Sequence, residues 1–422
     1  MGWRLGKIAA HSLGGLSAVL LAGLLAAGSA RAEDPIRIGF SFSQTGPLAP
    51  NGKQALLGAR IWEEDINAAG GLLGRKVELV VYDDQSNPSN VPGIYAKLLE
   101  VDKVDLVMGP YGTNLVAPAL PIVIPKGKVV VGLFALDVNA EFKYPKYFSM
   151  VPYGPAPKEA GVVGFFAVAA AQNPKPETLA IIAEDAEFGR NVAEGARNVA
   201  KKFGFKIIFD KTFPPGTTDF SPIVRALAAA NADAVMACTY PLSSVGLVQS
   251  ANELGFKPRI FGGAMVGLQA TVFKDRLKSK LNGIVNYETW VPSPQLLPRA
   301  QAFFDKYQER AKTAGVDPLG YYLGGWGYAD LQVLGEAVAG AKSLNDDKIA
   351  EYLRSHEVKT IMGDIQFGPD GEWSKSRMLE VQYHDVRDDA NLDTWRGMSY
   401  QTILYPPEFK TGEAIYPYEK AK

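Results

Sequence analysis

IRIGFSF at 36–42, KQALLGARIWEEDINAA at 53–69 and VELVVY at 77–82 decide the fold of this chain. The outer two stretches are short apolar runs rich in β-branched and aromatic residues, which read as strands. The middle stretch carries its apolar residues on one helical face and stops at Gly70-Gly71, a helix ended by glycine. Strand, helix and strand in this order make a βαβ unit, the building block of a parallel sheet.

The same alternation continues in both directions from that unit. Asn90 to Val101 reads as a helix, Asp105 to Met108 as a buried strand, Val116 to Ile124 as a helix and Val129 to Val131 as a strand. Val151 to Pro157 holds three prolines and a glycine and reads as a linker. A second series follows. Helices are predicted at Pro157–Ala171, Phe188–Phe203, Phe220–Ala230 and Ser243–Leu254. Strands are predicted at Thr178–Ala183, Phe205–Phe209, Ala234–Thr239 and Arg259–Gly262. After Gly283 long helices appear at Pro298–Thr313 and Tyr322–Ala339, with a shorter one at Asp346–Leu353 and strands at Ile365–Phe367 and Leu379–Tyr383. The reading is α/β: two Rossmann-like lobes with parallel sheets, joined by a hinge, with the late helices returning to the first lobe and the tail packing across the hinge.

Residues 1–32 place the protein. Arg4 and Lys7 precede an apolar run from Leu13 to Ala27, and Ala30-Arg31-Ala32 closes the segment. That is a secretory leader with an A-x-A cleavage site, too short to span a bilayer as roughly 20 apolar residues do. No cysteine sits at the cut, so a lipoprotein is not expected, and the mature chain belongs in the periplasm. Cleavage removes three cations from a formal net charge of −1. The acidic remainder argues against nucleic-acid partners and anionic membranes. Some 390 mature residues suit two domains. The single cysteine, Cys238, lies in an apolar strand and reads as a small hydrophobe.

Enzymatic and metal chemistry find little support. With His11 in the leader, only His356 and His384 remain, both in charged surroundings that suit surface positions. No zinc set, Gly-x-Ser-x-Gly elbow or other catalytic constellation is expected, and no cofactor. The loop Gly46–Lys53 imitates a phosphate loop, but its glycines are separated by five residues, Gln54 stands where Ser/Thr would hold magnesium, and two prolines remove amide donors. The acidic pairs Asp83-Asp84, Glu184-Asp185 and Asp388-Asp389 suit turn and capping roles.

An ordered set of segments resembles the type I periplasmic binding proteins of the leucine/isoleucine/valine class. It comprises Ile36–Phe40 with Ser43-Gln44-Thr45-Gly46-Pro47, Gly58-Ala59-Arg60 through Asp65–Gly71, Val80–Asp84, Val107–Pro110, Glu187-Phe188-Gly189, Asp219-Phe220-Ser221, Gly255-Phe256 and Gly363. The resemblance implies a three-crossover hinge, with lobe 1 formed by 33–152 plus about 284–375 and lobe 2 by 153–283 plus about 376–422. It implies a monomer that encloses a small solute by hinge closure and hands it to an ABC permease with its ATPase. A periplasmic sensor subunit is the alternative on the same fold.

The resemblance also supplies candidate ligand residues. Thr113, in Gly109–Asn114, falls where family members hold a ligand carboxylate, with Tyr111 beside it. Phe134 and Leu136 stand where small or hydroxyl residues are usual, with Asp137 a substitute partner for an ammonium. Phe188 and Tyr240 match ligand-packing aromatics, and Met265 lies in Gly262–Gly267, where amino-acid binders place a glutamate that is missing here. Asn51 completes the set, and Tyr153 and Trp290 are further candidates. Burying an ammonium with no acid is costly. The expected ligand is therefore a small carboxylate, an aromatic acid first and a branched-chain amino or keto acid second.

Overall fold

Two sheets repeat one strand order. In the first, β1 (Ile36–Ser41), β2 (Val77–Tyr82), β3 (Leu106–Tyr111), β4 (Val130–Leu133) and β5 (Tyr147–Ser149) lie in the order β2-β1-β3-β4-β5, all parallel. The helices between them are α1 (Ala49–Ala68), α2 (Val91–Glu100), α3 (Thr113–Val123) and α4 (Val138–Phe142). This is the computed structural model of the chain; it describes Met1 and residues 34–422, so the expected leader, Met1 apart, lies outside the described residues. Residues 36–422 form one contact unit.

After the first crossing come α5 (Pro157–Ala160), α6 (Val163–Ala170), β6 (Thr178–Glu184), α7 (Glu187–Phe203), β7 (Lys206–Phe213), α8 (Ser221–Ala230), β8 (Ala234–Thr239), α9 (Pro241–Glu253), β9 (Ile260–Met265), α10 (Thr271–Leu277) and β10 (Val285–Glu288). The strands β7-β6-β8-β9-β10 repeat the order of the first sheet in parallel. In both sheets the order reverses between the first and third strands of the series, β1 and β3, then β6 and β8. Ligands of open α/β sheets bind in the crevice outside the carboxyl ends of the strands at such a reversal.

Burial follows strand position. All six residues of β3 and of β8 are buried, as central strands covered on both faces require. Cys238 sits in β8, fully buried, and burial pushes its thiol up to about 12. Edge strand β7 alternates in exposure over much of its length.

The chain then returns to the first lobe through α11 (Leu297–Ala314), α12 (Gly324–Ala341) and α13 (Asp346–Ser355). Helix α12 packs against α1 so closely that a Cβ on Gly58 would lie 2.0 Å from the Gly324 carbonyl oxygen, and one on Gly327 2.3 Å from that of Ala55. Backbone-to-backbone approach of this kind admits only glycine. A small hairpin, β11 (Val358–Thr360) and β12 (Gly363–Ile365), precedes β13 (Leu379–Tyr383) and β14 (Gln401–Tyr405). The last two join β10 antiparallel at the edge of the second sheet.

Several expectations need correction. The helix predicted over Pro157–Ala171 is two helices, because the chain bends at Gly161, where a Cβ would meet the Tyr153 ring at 2.8 Å. The return to the first lobe, expected near 284, falls one strand too early: β10 pairs with β9 and β13 in the second sheet. The strand predicted at Ile365–Phe367 is shifted toward Gly363, and Phe367 instead bridges to Trp373. The tail follows the second lobe and not the hinge. The Tyr418 amide donates to the Arg259 carbonyl at 2.8 Å, and its ring packs on Phe261. His384 is half-buried between Gln382 and Thr402 and not on the surface.

Candidate ligand site between the lobes

The carboxyl ends of β3 and β8 face a common cavity. Strand β3 ends at Tyr111, and Gly112, at φ +92°, turns the chain into α3. Helix α3 opens on Thr113, and the first amides of a helix have no intrahelical acceptor. Together with the helix dipole they favour an anion. The Thr113 hydroxyl accepts from the Leu136 amide at 2.9 Å, which leaves its own hydrogen to donate.

The cavity is nearly filled by its own walls, with about 20 Å³ of free space, room for about one water and far below the ~300–1,000 Å³ usual for small-molecule sites. Tyr111, Gly112, Thr113, Phe134 and Tyr322 line it from the first lobe; Val151, Tyr153 and Thr289 come from crossing segments; Phe188, Tyr240, Val266 and Tyr287 come from the second lobe. Among the described residues, seven rings and no charged side chain face the space. Phe134 packs on Tyr322 with centroids 5.7 Å apart, and Phe188 lies over Tyr240 at 5.3 Å with planes 36° apart. Rings thus wall the site on both lobes. Phe134 is held at φ +58°, a strained conformation for a bulky residue of the sort that gathers at binding sites.

The polar groups are mostly donors. The Tyr111 and Tyr322 hydroxyls are 2.9 Å apart, and Asn51 donates to Tyr111 at 2.9 Å. Two hydroxyls carry two hydrogens, their mutual bond uses one, and Asn51 supplies its own. One hydrogen is left for a ligand acceptor. Burial pushes Tyr111 up to about 12 and Tyr322, Tyr287 and Tyr240 well above their ordinary range, so all remain neutral donors at physiological pH.

Side chains also tie the lobes directly. Asn114 Oδ1 accepts from the Tyr240 hydroxyl at 3.1 Å and from the Phe188 amide at 3.2 Å. Lys158 pairs with Asp137 at 3.1 Å, and Asn191 donates to the Leu136 carbonyl at 3.4 Å.

Of the residues singled out in the sequence, Tyr111, Thr113, Phe134, Phe188, Tyr240 and Tyr153 line the cavity. Asn51 stands behind it, holding Tyr111. Leu136 contributes backbone groups only, to Thr113 and Asn191. Met265 is buried at the end of β9 with its amide on Asn286, and its neighbour Val266 reaches the cavity in its place. Trp290 packs on Phe304 and Tyr321, away from the lining. Tyr322, Tyr287 and Thr289 have no local signal. Tyr322 is delivered by the α1–α12 contact, where the Gln54 side chain accepts from the next amide, Leu323, at 3.0 Å.

The acids that could have met an ammonium lie elsewhere. Asp137 is spent on Lys158. Glu184 accepts from the Tyr240 amide at 3.1 Å and does not line the cavity. Asp84 is buried and accepts from Ser41 and Ser43, while Asp83 accepts from the amides of Gln44, Thr45 and Gln85, so this pair organises the end of β2. In the loop resembling a phosphate loop, the amides of Ala49, Asn51 and Gly52 bond to Gly46 and Leu48 carbonyls and are not free to cradle an anion.

The sequence matches the family model described as periplasmic binding protein over residues 35–382. An amino acid binding protein of Pseudomonas aeruginosa is 26% identical over 358 residues, covering 85% of this chain and 92% of that one. Among solved structures, the branched-chain amino acid transporter substrate-binding protein LivJ of Streptococcus pneumoniae, in complex with isoleucine, superposes with a TM-score of 0.72 at 20% identity, covering 88% of this chain and all of that one. A solute-binding protein of an ABC transporter from R. palustris, in complex with 4-hydroxybenzoate, gives 0.73 at 16% identity, covering 90% and 98%.

Proposed function

The chain belongs to the periplasmic binding protein family, and on that premise we propose that it captures a small carboxylate solute, an aromatic acid first, for an ABC importer. One observation carries the ligand class: a cavity walled by rings, supplied with hydrogen-bond donors and lacking any charged side chain. The carboxylate sits at the start of α3, where Thr113 and the first amides donate. The ring lies between the aromatic walls of the two lobes. No acid in the lining meets an α-ammonium, which counts against an amino acid. The two neighbours bound to isoleucine and to 4-hydroxybenzoate are compatible with either class.

In this reading the protein works as a monomer, with lobes near 36–150 plus 297–365 and 157–288 plus 379–422. Ligand bridges them and shifts the population from open to closed, the form a permease recognises. A branched-chain amino acid is the second reading, favoured by the isoleucine-bound neighbour.

Calorimetric titration with benzoate-type acids and with leucine, side by side, tests the class. Benzoate-type acids should bind and leucine should not. Thr113→Val should weaken binding by about 10- to 100-fold, the worth of a charge-assisted hydrogen bond, while Thr113→Ser stays near wild type. Leucine binding with benzoate inert would overturn the aromatic reading.

A further inference from the structure

The ligand cavity is backed by a second, larger space. A chamber of about 570 Å³ opens toward solvent between Pro47, Leu48 and Pro88 of the first lobe and Phe220, Leu242 and Val245 of the second. Tyr240 belongs to both linings, and Asn114 belongs to the outer one. The Tyr240 hydroxyl donates to Asn114 at 3.1 Å, next to Gly112 and Thr113 of the inner lining. Turning Asn114 away also frees the Phe188 amide, which donates to the same oxygen at 3.2 Å. The outer lining is largely apolar, and its charged members are Glu184 and Arg276. Glu184 is engaged with the Tyr240 amide. Leu242, at the start of α9, is 54% exposed and faces this space, an apolar side chain with nothing over it.

We infer that the outer chamber receives the apolar distal part of an elongated carboxylate, whose chain parts the Asn114–Tyr240 contact while its carboxylate stays at the start of α3. The inference rests on the carboxylate reading above and extends it from compact acids to aryl-alkyl acids. The inner site, with about 20 Å³ free, takes the head group only as its rings part; the apolar chamber beyond Tyr240 rewards each added methylene with removal from water.

The test compares benzoate, 3-phenylpropanoate and 5-phenylpentanoate by calorimetry on the purified mature protein and on two variants that fill the chamber. Leu242→Trp fills it from α9, and Thr218→Trp, from an exposed loop, serves if the first fails to fold. Wild type should bind 5-phenylpentanoate at least tenfold more tightly than benzoate. Either tryptophan variant should lose that tenfold advantage and keep benzoate affinity within about twofold. Benzoate binding with the long acid no tighter overturns the inference and leaves the carboxylate reading intact. A variant that weakens both acids equally overturns it as well, since the chamber would then serve lobe closure alone. No binding of any of the three acids fails the carboxylate reading itself.

Discussion

Replacing Lys274 with methionine should destabilise the protein by about 3–5 kcal/mol at pH 8, the penalty for breaking a buried ion pair from one side. Lys274, on α10, reaches Glu288 at the end of β10 at 3.2 Å, with side chains 8% and 2% exposed. Gln401, at the start of β14, donates to the same carboxylate at 3.3 Å. Glu380 on β13 is buried close by with one oxygen that meets no donor among the described residues. The ammonium thus pairs with Glu288, and the Lys274–Glu288–Gln401 cluster pins α10 to β10 and β14 of the second sheet.

The pH dependence of that loss follows from the sign of the shifts. Burial pushes Glu288 up to about 7 even beside Lys274, and Glu380 well above the carboxylate range. A carboxyl raised in the folded state adds stability at low pH and loses it as pH climbs to the folded pKa. In wild type the Glu288 contribution levels off near pH 7. Without Lys274 it goes on falling, so the gap between variant and wild type should widen from pH 5 to pH 8. Glu288→Gln in the Lys274→Met background should recover more than half of the loss. Urea unfolding at both pH values measures this, and a loss under about 1 kcal/mol at pH 8 would refute the account.

The second large effect is expected at Glu372, which lies where the third crossing segment meets the first sheet. There the Ser149 amide donates to the Gly371 carbonyl at 2.8 Å and the Trp373 indole to the Ser149 carbonyl at 3.1 Å. Glu372 is 3% exposed, and among the described residues neither carboxyl oxygen reaches hydrogen-bond geometry with a donor, although the Ser149 hydroxyl faces it. Burial pushes it up to about 8, and the Asp370 and Asp137 carboxylates act in the same direction. The folded protein thus holds a proton that the unfolded chain releases near pH 4.5. Wild-type stability should fall from about pH 5 to pH 8, by up to ~1.4 kcal/mol per pH unit from this group. Glu372→Gln keeps the shape of the protonated acid without its titration. Its melting temperature should match wild type at pH 5 and exceed it at pH 8. Equal melting temperatures at both values would show that Glu372 carries no such proton.

The alternation of 36–82 and its sequel were enough to read two α/β series, because central strands such as Ala234–Thr239 are apolar throughout and their helices are closed by glycine. What escaped has physical reasons. Strand β10 reads Val-Asn-Tyr-Glu, half polar, yet all four residues are buried. Asn286 spends its side chain on the Met265 backbone and Glu288 on Lys274. A strand whose polar residues are satisfied by tertiary partners has no hydrophobic pattern to read. The cavity was half legible for a similar reason. Thr113 and Tyr240 follow strands of their own lobe, where a local reading can find them. Tyr322 arrives from 211 residues beyond Tyr111 through helix packing that leaves no mark near either residue. Met265 ends β9 and Val266 opens the 3-10 turn that follows, a difference of one residue that loop-level alignment does not resolve.

Asn114 has a consequence for selectivity that its position alone does not suggest. Its oxygen takes hydrogens from two groups of the opposite lobe, and neither bond involves a solute. In the hinge-closure reading, such contacts lower the free energy of the closed form by the same amount for every compact ligand. Asn114 then acts as a gain setting: changing it multiplies the dissociation constants of compact ligands by one common factor and leaves the ratios between them untouched. Discrimination is left to Thr113 and the rings, while the fraction of empty protein that a permease would meet already closed is set by a residue that recognises nothing.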